Sequence, residues 1–213
     1  MKTTRQIENI IKMLAKANKV SMLGSFSNES PFYVLISTVL SQRNRDEMTM
    51  LVTRKLFSKY KTPQQLAKAN IKDIEKLIKQ SGFYHTKAKR IKEISRILLE
   101  KYKGKVPDNE EELLKLPGVG RKTAGCVLVY AYGKQAIPVD THVHRISNRL
   151  GLVNTKKRED TEFELMKIVP KRLWKHVNEV LVVHGQTICR PINPKCSECP
   201  ITKYCDYYKA VKK

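Results

Sequence analysis

The chain has 213 residues, enough for one domain or two small lobes, and 41% of them are hydrophobic, enough for a real core. No run of about 18 apolar residues occurs, so no transmembrane helix is expected. The amino terminus, Met1-Lys2-Thr3-Thr4-Arg5-Gln6, lacks a signal-peptide core, which points to an intracellular protein with no membrane partner. Lys and Arg number 42 against 20 Asp and Glu, a formal net charge of +22. These basic residues are spread along the chain, which favours a folded basic surface facing a polyanion over a disordered arm.

Taken in order, the apolar residues fall at helical spacing nearly throughout. Ile7, Ile10, Ile11 and Leu14 make the first stripe. The β-branched run Phe32–Val39 is apolar but continues a helical pattern, and Leu51, Val52, Leu56 and Phe57 follow. Thr62-Pro63-Gln64-Gln65 has the form of a helix start, with Thr62 as cap and Gln65 reaching back. Asn70 and Asp73 open a helix carrying Ile71, Ile74, Leu77 and Ile78, which stops near Gly82. Ile91, Ile94, Ile97 and Leu98 form the next stripe, ended by Gly104 and Pro107. Asp108 begins a short helix through Leu113 and Leu114, and Val127, Leu128 and Ala131 lie on a helix that ends at Gly133. Later stripes are Val143, Ile146 and Leu150; then Phe163, Met166 and Ile168; then Leu173, Val177, Val180 and Leu181. Strand signals are weak, so the fold class is all-α.

The stretch Leu116-Pro117-Gly118-Val119-Gly120-Arg121-Lys122-Thr123 joins two of these helices. Gly118 and Gly120 permit a tight turn with positive φ and leave room for close approach from outside. The turn feeds directly into an apolar helix, whose first amides point at any anion placed there. Lys122 lies in the first turn, where the helix dipole disfavours a charged ammonium; a neutral amine is what nucleophilic attack needs. Val139-Asp140-Thr141-His142 adds a carboxylate just before another helix, a place that also suits Asp140 as an N-cap. A phosphate grip, an amine and a carboxylate together point to chemistry on a nucleic-acid sugar. His142 and His144 read equally as structural histidines and as proton shuttles.

The last 25 or so residues change character, rich in Cys and Pro and poor in periodicity. Four of the five cysteines fall there, as Cys189-x6-Cys196-x2-Cys199-x5-Cys205. Thiolates this close in an intracellular basic protein read as metal ligands rather than disulfides. A zinc ribbon has two tight pairs and this spacing has one, so a 4Fe–4S cluster is favoured over zinc. Arg190 and Lys195 sit inside the loop within reach of phosphates, and Cys126 reads as a small core residue.

Leu116–Thr123, Val139–His142 and the cysteine spacing, with Leu40-Ser41-Gln42 and Ser81-Gly82-Phe83-Tyr84, together resemble the endonuclease III family of helix-hairpin-helix DNA glycosylases, across nearly the whole chain. The resemblance implies a two-lobed helical fold: a six-helix lobe over 23–134 containing the hairpin, and a discontinuous lobe of 1–22 and 135–213 with the cluster loop at 189–205. It implies a monomer whose partner is double-stranded DNA carrying damaged bases or abasic sites, lying across the cleft with a nucleotide flipped out. Lys122 would be the nucleophile, Asp140 its carboxylate partner and Phe83 the wedge in the base stack. Gly118, Val119, Gly120, Arg121, Thr123, Gln42, Arg43, Phe83, His142, Arg190 and Lys195 would contact DNA. The family's gap-filling glutamine is matched by Arg43, with Gln42 one residue early, so that role is unassigned.

The function implied is a bifunctional glycosylase and abasic-site lyase of base excision repair, removing oxidised pyrimidines. Two alternatives stay open. One is a mismatch or alkylpurine glycosylase of the same superfamily, although Trp174 is the only tryptophan and an electron-rich aromatic pocket is poorly supplied. The other is a non-enzymatic DNA-binding module.

Overall fold

The computed structural model describes residues 2–17 and 21–211; positions 1, 18–20, 212 and 213, which belong to the expected discontinuous lobe, lie outside the described residues. Helical periodicity carries through. The elements are α1 (Thr4–Ala17), α2 (Pro31–Ser41), α3 (Asp46–Lys59), α4 (Pro63–Lys68), α5 (Ile71–Ile78), α6 (Tyr84–Tyr102), α7 (Glu110–Leu114), α8 (Arg121–Tyr132), α9 (Thr141–Arg149), α10 (Arg158–Ile168), α11 (Trp174–Thr187) and α12 (Asp206–Val211), joined by loops and short 3-10 turns. The described residues contain no strand, and none of their helices is long and apolar enough to cross a membrane. They divide into two compact units, Ser25–Gly133 and a discontinuous one, Met1–Gly24 with Lys134–Lys213.

In the Ser25–Gly133 unit α2 is the centre. Ser30 caps it by accepting from the Tyr33 N–H, and Pro31 opens it. Every residue from Val34 to Leu40 is buried. A helix apolar all round is enclosed all round, which explains why Phe32–Val39 has the composition of a strand. The Ser37 and Thr38 hydroxyls donate one turn back, to the Tyr33 O (2.6 Å) and Val34 O (2.7 Å), so neither is stranded in the core. α3 and α8 pack on α2. α6 buries Ile91, Ile94 and Leu98 and carries α4 and α5 on its flank. Each fully buried Leu or Ile contributes about 2 kcal/mol relative to exposure.

Local caps set the boundaries. Thr62 accepts from the Gln65 N–H and Asn70 from the Lys72 N–H. Gln65 reaches back to the Lys61 N–H (2.7 Å), one residue before the cap. α7 starts later than the sequence led us to expect: Asn109, not Asp108, is extended and accepts from the Glu112 N–H. Glu110, Glu111 and Glu112 then fill the first turn, where the helix dipole favours them.

In the second unit α1 packs Ile7, Ile10, Ile11 and Leu14 with α11, and α9 contacts α10, α11 and α12. α10 departs from expectation. Its buried line is Thr161, Leu165 and Val169, at four-residue spacing, while Phe163 is 49% exposed. Two residues along a helix is roughly 200° of rotation, so Phe163 faces away from that line.

Candidate functional site

The hairpin lies between α7 and α8. Leu116 and Val119 drop their side chains into the core, and the Val119 N–H donates to the Leu116 O (3.1 Å). Gly118 has φ +76, which favours glycine, and a Cβ there would come within 2.7 Å of the Arg90 side chain, whose flexible end would have to move aside. Gly120 differs from expectation. Its φ is −100, in extended backbone, and a Cβ would meet nothing within 4 Å. Nothing within 4 Å inside the chain requires glycine at 120, and the space beside it is open. The N-cap of α8 is Gly120, which has no side chain with which to cap the helix, and helix N-termini are ready sites for anions. Lys122 sits half-buried in that first turn.

Two of the residues expected to contact DNA also brace the hairpin from inside. Thr123 is buried, and its Oγ1 accepts from Gln42 Nε2 (3.3 Å). The same Nε2 donates to the Gly118 O (2.8 Å). Gln42, the C-cap of α2, thus ties the central helix to the turn. Arg121 reaches Glu110 (3.4 Å), a partly exposed pair of the kind worth little, which a phosphate can displace. Arg43 and Phe83 are both exposed in the same unit, with the Arg43 guanidinium carbon 5.6 Å from the Phe83 ring centroid.

Asp140 belongs to the other unit and caps α9. Its Oδ1 accepts from the His142 N–H (2.8 Å) and the Val143 N–H (2.9 Å), while Oδ2 has no hydrogen-bond partner among the described residues. The carboxylate is half-buried, so it caps a helix and still presents one oxygen. Both histidines that follow are engaged. His142 Nδ1 lies 3.1 Å from Arg145 Nη2, and His144 Nδ1 lies 2.6 Å from Thr161 Oγ1.

All four expected ligand cysteines line one hollow, with Ile146, Leu150, His184 and Ile201 among its walls. Burial pushes the Cys199 thiol up to about 11, and the other three sulfurs push the same way. Burial likewise raises Cys205. A positively charged inorganic group among them is what would let all four ionise. Among the described residues no three His, Cys, Asp or Glu side chains are grouped as a single metal ion requires. Sequence reasoning missed the residues that hold this loop. Arg149 donates from Nη1 to the Arg190 O (2.7 Å) and Cys189 Sγ (3.4 Å), and from Nη2 to the Pro191 O (2.8 Å). Arg145 donates from Nη2 to the Cys189 O (2.9 Å) and the Gly185 O (3.1 Å). His184 is buried with Nε2 3.6 Å from Cys199 Sγ. The signal was the i, i+4 pair of arginines on α9. Arg190 is exposed, and Lys195 pairs with Glu198 at 3.2 Å.

An all-α chain built around this hairpin is of the helix-hairpin-helix class, and comparison with known proteins narrows the class. Residues 36–171 match the family described as HhH-GPD superfamily base excision DNA repair protein. The endonuclease III of Thermotoga maritima is 59% identical over 179 residues, covering 84% of each chain. Two solved structures superpose over 100% of both chains. A non-covalent endonuclease III–DNA complex does so with TM-score 0.89 at 37% identity, and a trapped endonuclease III–DNA covalent intermediate with TM-score 0.87 at 36% identity. The chain belongs to the endonuclease III family of this superfamily. It is a DNA glycosylase and abasic-site lyase of base excision repair.

Proposed function

We propose that Lys122 is the amine of this reaction, Asp140 its carboxylate, and an oxidised pyrimidine in duplex DNA the substrate. The observation that carries the reading is the position of Lys122, in the first turn of α8, directly after a turn that Gly120 leaves open. Hairpin amides and Arg121 hold one phosphate without reading sequence. Selectivity then comes from damage that weakens stacking or pairing.

The chemistry follows from the residue types. The Lys122 amine, neutral when it attacks, bonds to the sugar C1′; the C1′–base bond breaks and the base leaves with a proton. Loss of the amine proton and opening of the sugar give a Schiff base. The Asp140 carboxylate stabilises positive charge on the sugar and helps move these protons. The imine acidifies C2′; removal of that proton forms the C2′–C3′ double bond and expels the 3′ phosphate, so the strand is cut on the 3′ side. Water then hydrolyses the imine and frees Lys122.

We also propose that Cys189, Cys196, Cys199 and Cys205 hold a 4Fe–4S cluster. Four thiols on one hollow, with Arg149 beside Cys189 Sγ, support that donor set over a two-pair zinc site. Bound there, such a group would tie the four cysteines of the loop together.

Borohydride trapping on abasic-site DNA tests the catalytic assignment. The unaltered protein becomes covalently attached to the oligonucleotide. Lys122→Ala is not trapped, and its strand cleavage falls on the order of 10^3-fold. Undiminished trapping of Lys122→Ala overturns the assignment.

A further inference from the structure

Three non-glycine residues of the Ser25–Gly133 unit lie in left-handed backbone: Lys103 (φ +54), which ends α6, and two in neighbouring loops, Arg43 (φ +50), just after α2, and Phe83 (φ +59), at the start of α6. Such backbone is costly for a residue with a Cβ, so something must hold each of them. Arg43 and Phe83 are both exposed, Phe83 by 62%, and the guanidinium lies over the ring. The loops also approach through their backbones, since a Cβ on Gly82 would come 3.3 Å from the Arg43 O.

What joins the loops is Lys87. It lies on the first turn of α6 and is 3% exposed. Its Nζ donates to the Leu40 O (2.8 Å) and to Ser81 Oγ (2.8 Å). Leu40 is in the last turn of α2, where a cation complements the helix dipole. Ser81 Oγ also accepts from Asn44 Nδ2 (3.3 Å), in the loop that carries Arg43. A short polar chain therefore runs from the end of α2 through Lys87 and Ser81 and back into the α2–α3 loop. The hollow beside it is lined by Gln42, Arg43, Phe83, Thr86, Lys87 and Arg90, with no carboxylate to neutralise the amine. Burial holds Lys87 down to about 8. An apolar side chain of similar length would avoid that desolvation, so what the amine supplies is its two hydrogen bonds.

We propose that Lys87 is a positioning residue that clamps the two loops, so that Arg43 and Phe83 stand as one preformed stacking tip for the bases of bound DNA. The proposal rests on the reading that this chain unstacks a damaged nucleotide. An aromatic ring and a planar guanidinium both stack on bases without regard to sequence. A tip held in place before binding avoids the ordering cost a loose loop would carry.

The test compares two substrates in the full-length protein. One is duplex DNA containing thymine glycol, which must be unstacked. The other is a single strand with a preformed abasic site, which needs no unstacking. Lys87→Met should lower single-turnover excision on the duplex about tenfold and Ser81→Ala about threefold, with cleavage of the abasic single strand within about twofold of the parent for both. If Lys87→Met does not fold, Ser81→Ala decides. Equal losses on both substrates, or no loss on either, would overturn the clamp. Failure of the unaltered protein to cleave either substrate would instead overturn the functional reading beneath it.

Discussion

The hairpin and the cysteine loop are both short connections, and they are held in opposite ways. The hairpin buries Leu116 and Val119, and Gln42 bonds it to the central helix. The loop over residues 189–205 buries one apolar side chain, Ile201. Its backbone hangs on the guanidinium groups of Arg145 and Arg149, and its sulfurs turn to a common hollow. The first connection is a product of packing, and the second, under the proposed cluster, would be one of ligation. Removing a bound inorganic group should therefore loosen one and leave the other intact.

The largest expected break in that comparison is chemical. Lys122→Ala leaves the packing of the hairpin in place and removes covalent trapping altogether. Next comes the loop. Cys199→Ser should bleach the brown colour of a bound cluster, lower the unfolding free energy by several kcal/mol and expose 189–205 to proteases. Fragments from limited proteolysis should still contain Ser25–Gly133 intact; parental colour and proteolysis in Cys199→Ser would contradict the ligation account. Asp140 then separates a cap from a charge. Asp140→Asn should slow excision on the order of 10^2-fold with an unchanged thermal midpoint, because asparagine caps as well as aspartate. Asp140→Ala should add a stability loss of about 1 kcal/mol. The smallest effects fall on the glycines. Gly118→Ala should destabilise the free protein by about 1–2 kcal/mol from its backbone alone, with the Arg90 contact adding to it. Gly120→Ala should leave the unfolding curve unchanged and weaken binding to abasic-site DNA. Calorimetric unfolding beside a titration at fixed salt reads both.

Much of the hairpin unit was legible because its signals are local. Thr62 and Asn70 cap the helices they precede, and Ile91, Ile94 and Leu98 face the core that their spacing predicts. The hairpin itself could be read from two glycines and the helix behind them. Other features depend on residues distant in sequence. Lys87 is one of 42 basic residues, and nothing beside it marks it as buried; its partner Leu40 lies 47 positions away. Arg145 and Arg149 reach carbonyls about 40 residues on, as in the Arg149–Arg190 bond, 41 positions apart. Phe163 looked like core by type and spacing, and the line through Thr161, Leu165 and Val169 took that place instead. The left-handed backbone at Arg43 and Phe83 has no signature in residues that carry ordinary side chains.

The open space beside Gly120 separates two kinds of constraint that usually arrive together. A laboratory screen for thermal tolerance would hold residue 118 and let residue 120 drift, because a methyl group there disturbs nothing within the chain. A screen for survival under DNA damage would hold both. Under the proposed function, two glycines one residue apart thus answer to different selectors: the first to the polypeptide that must fold, the second to the polymer that would lie against it.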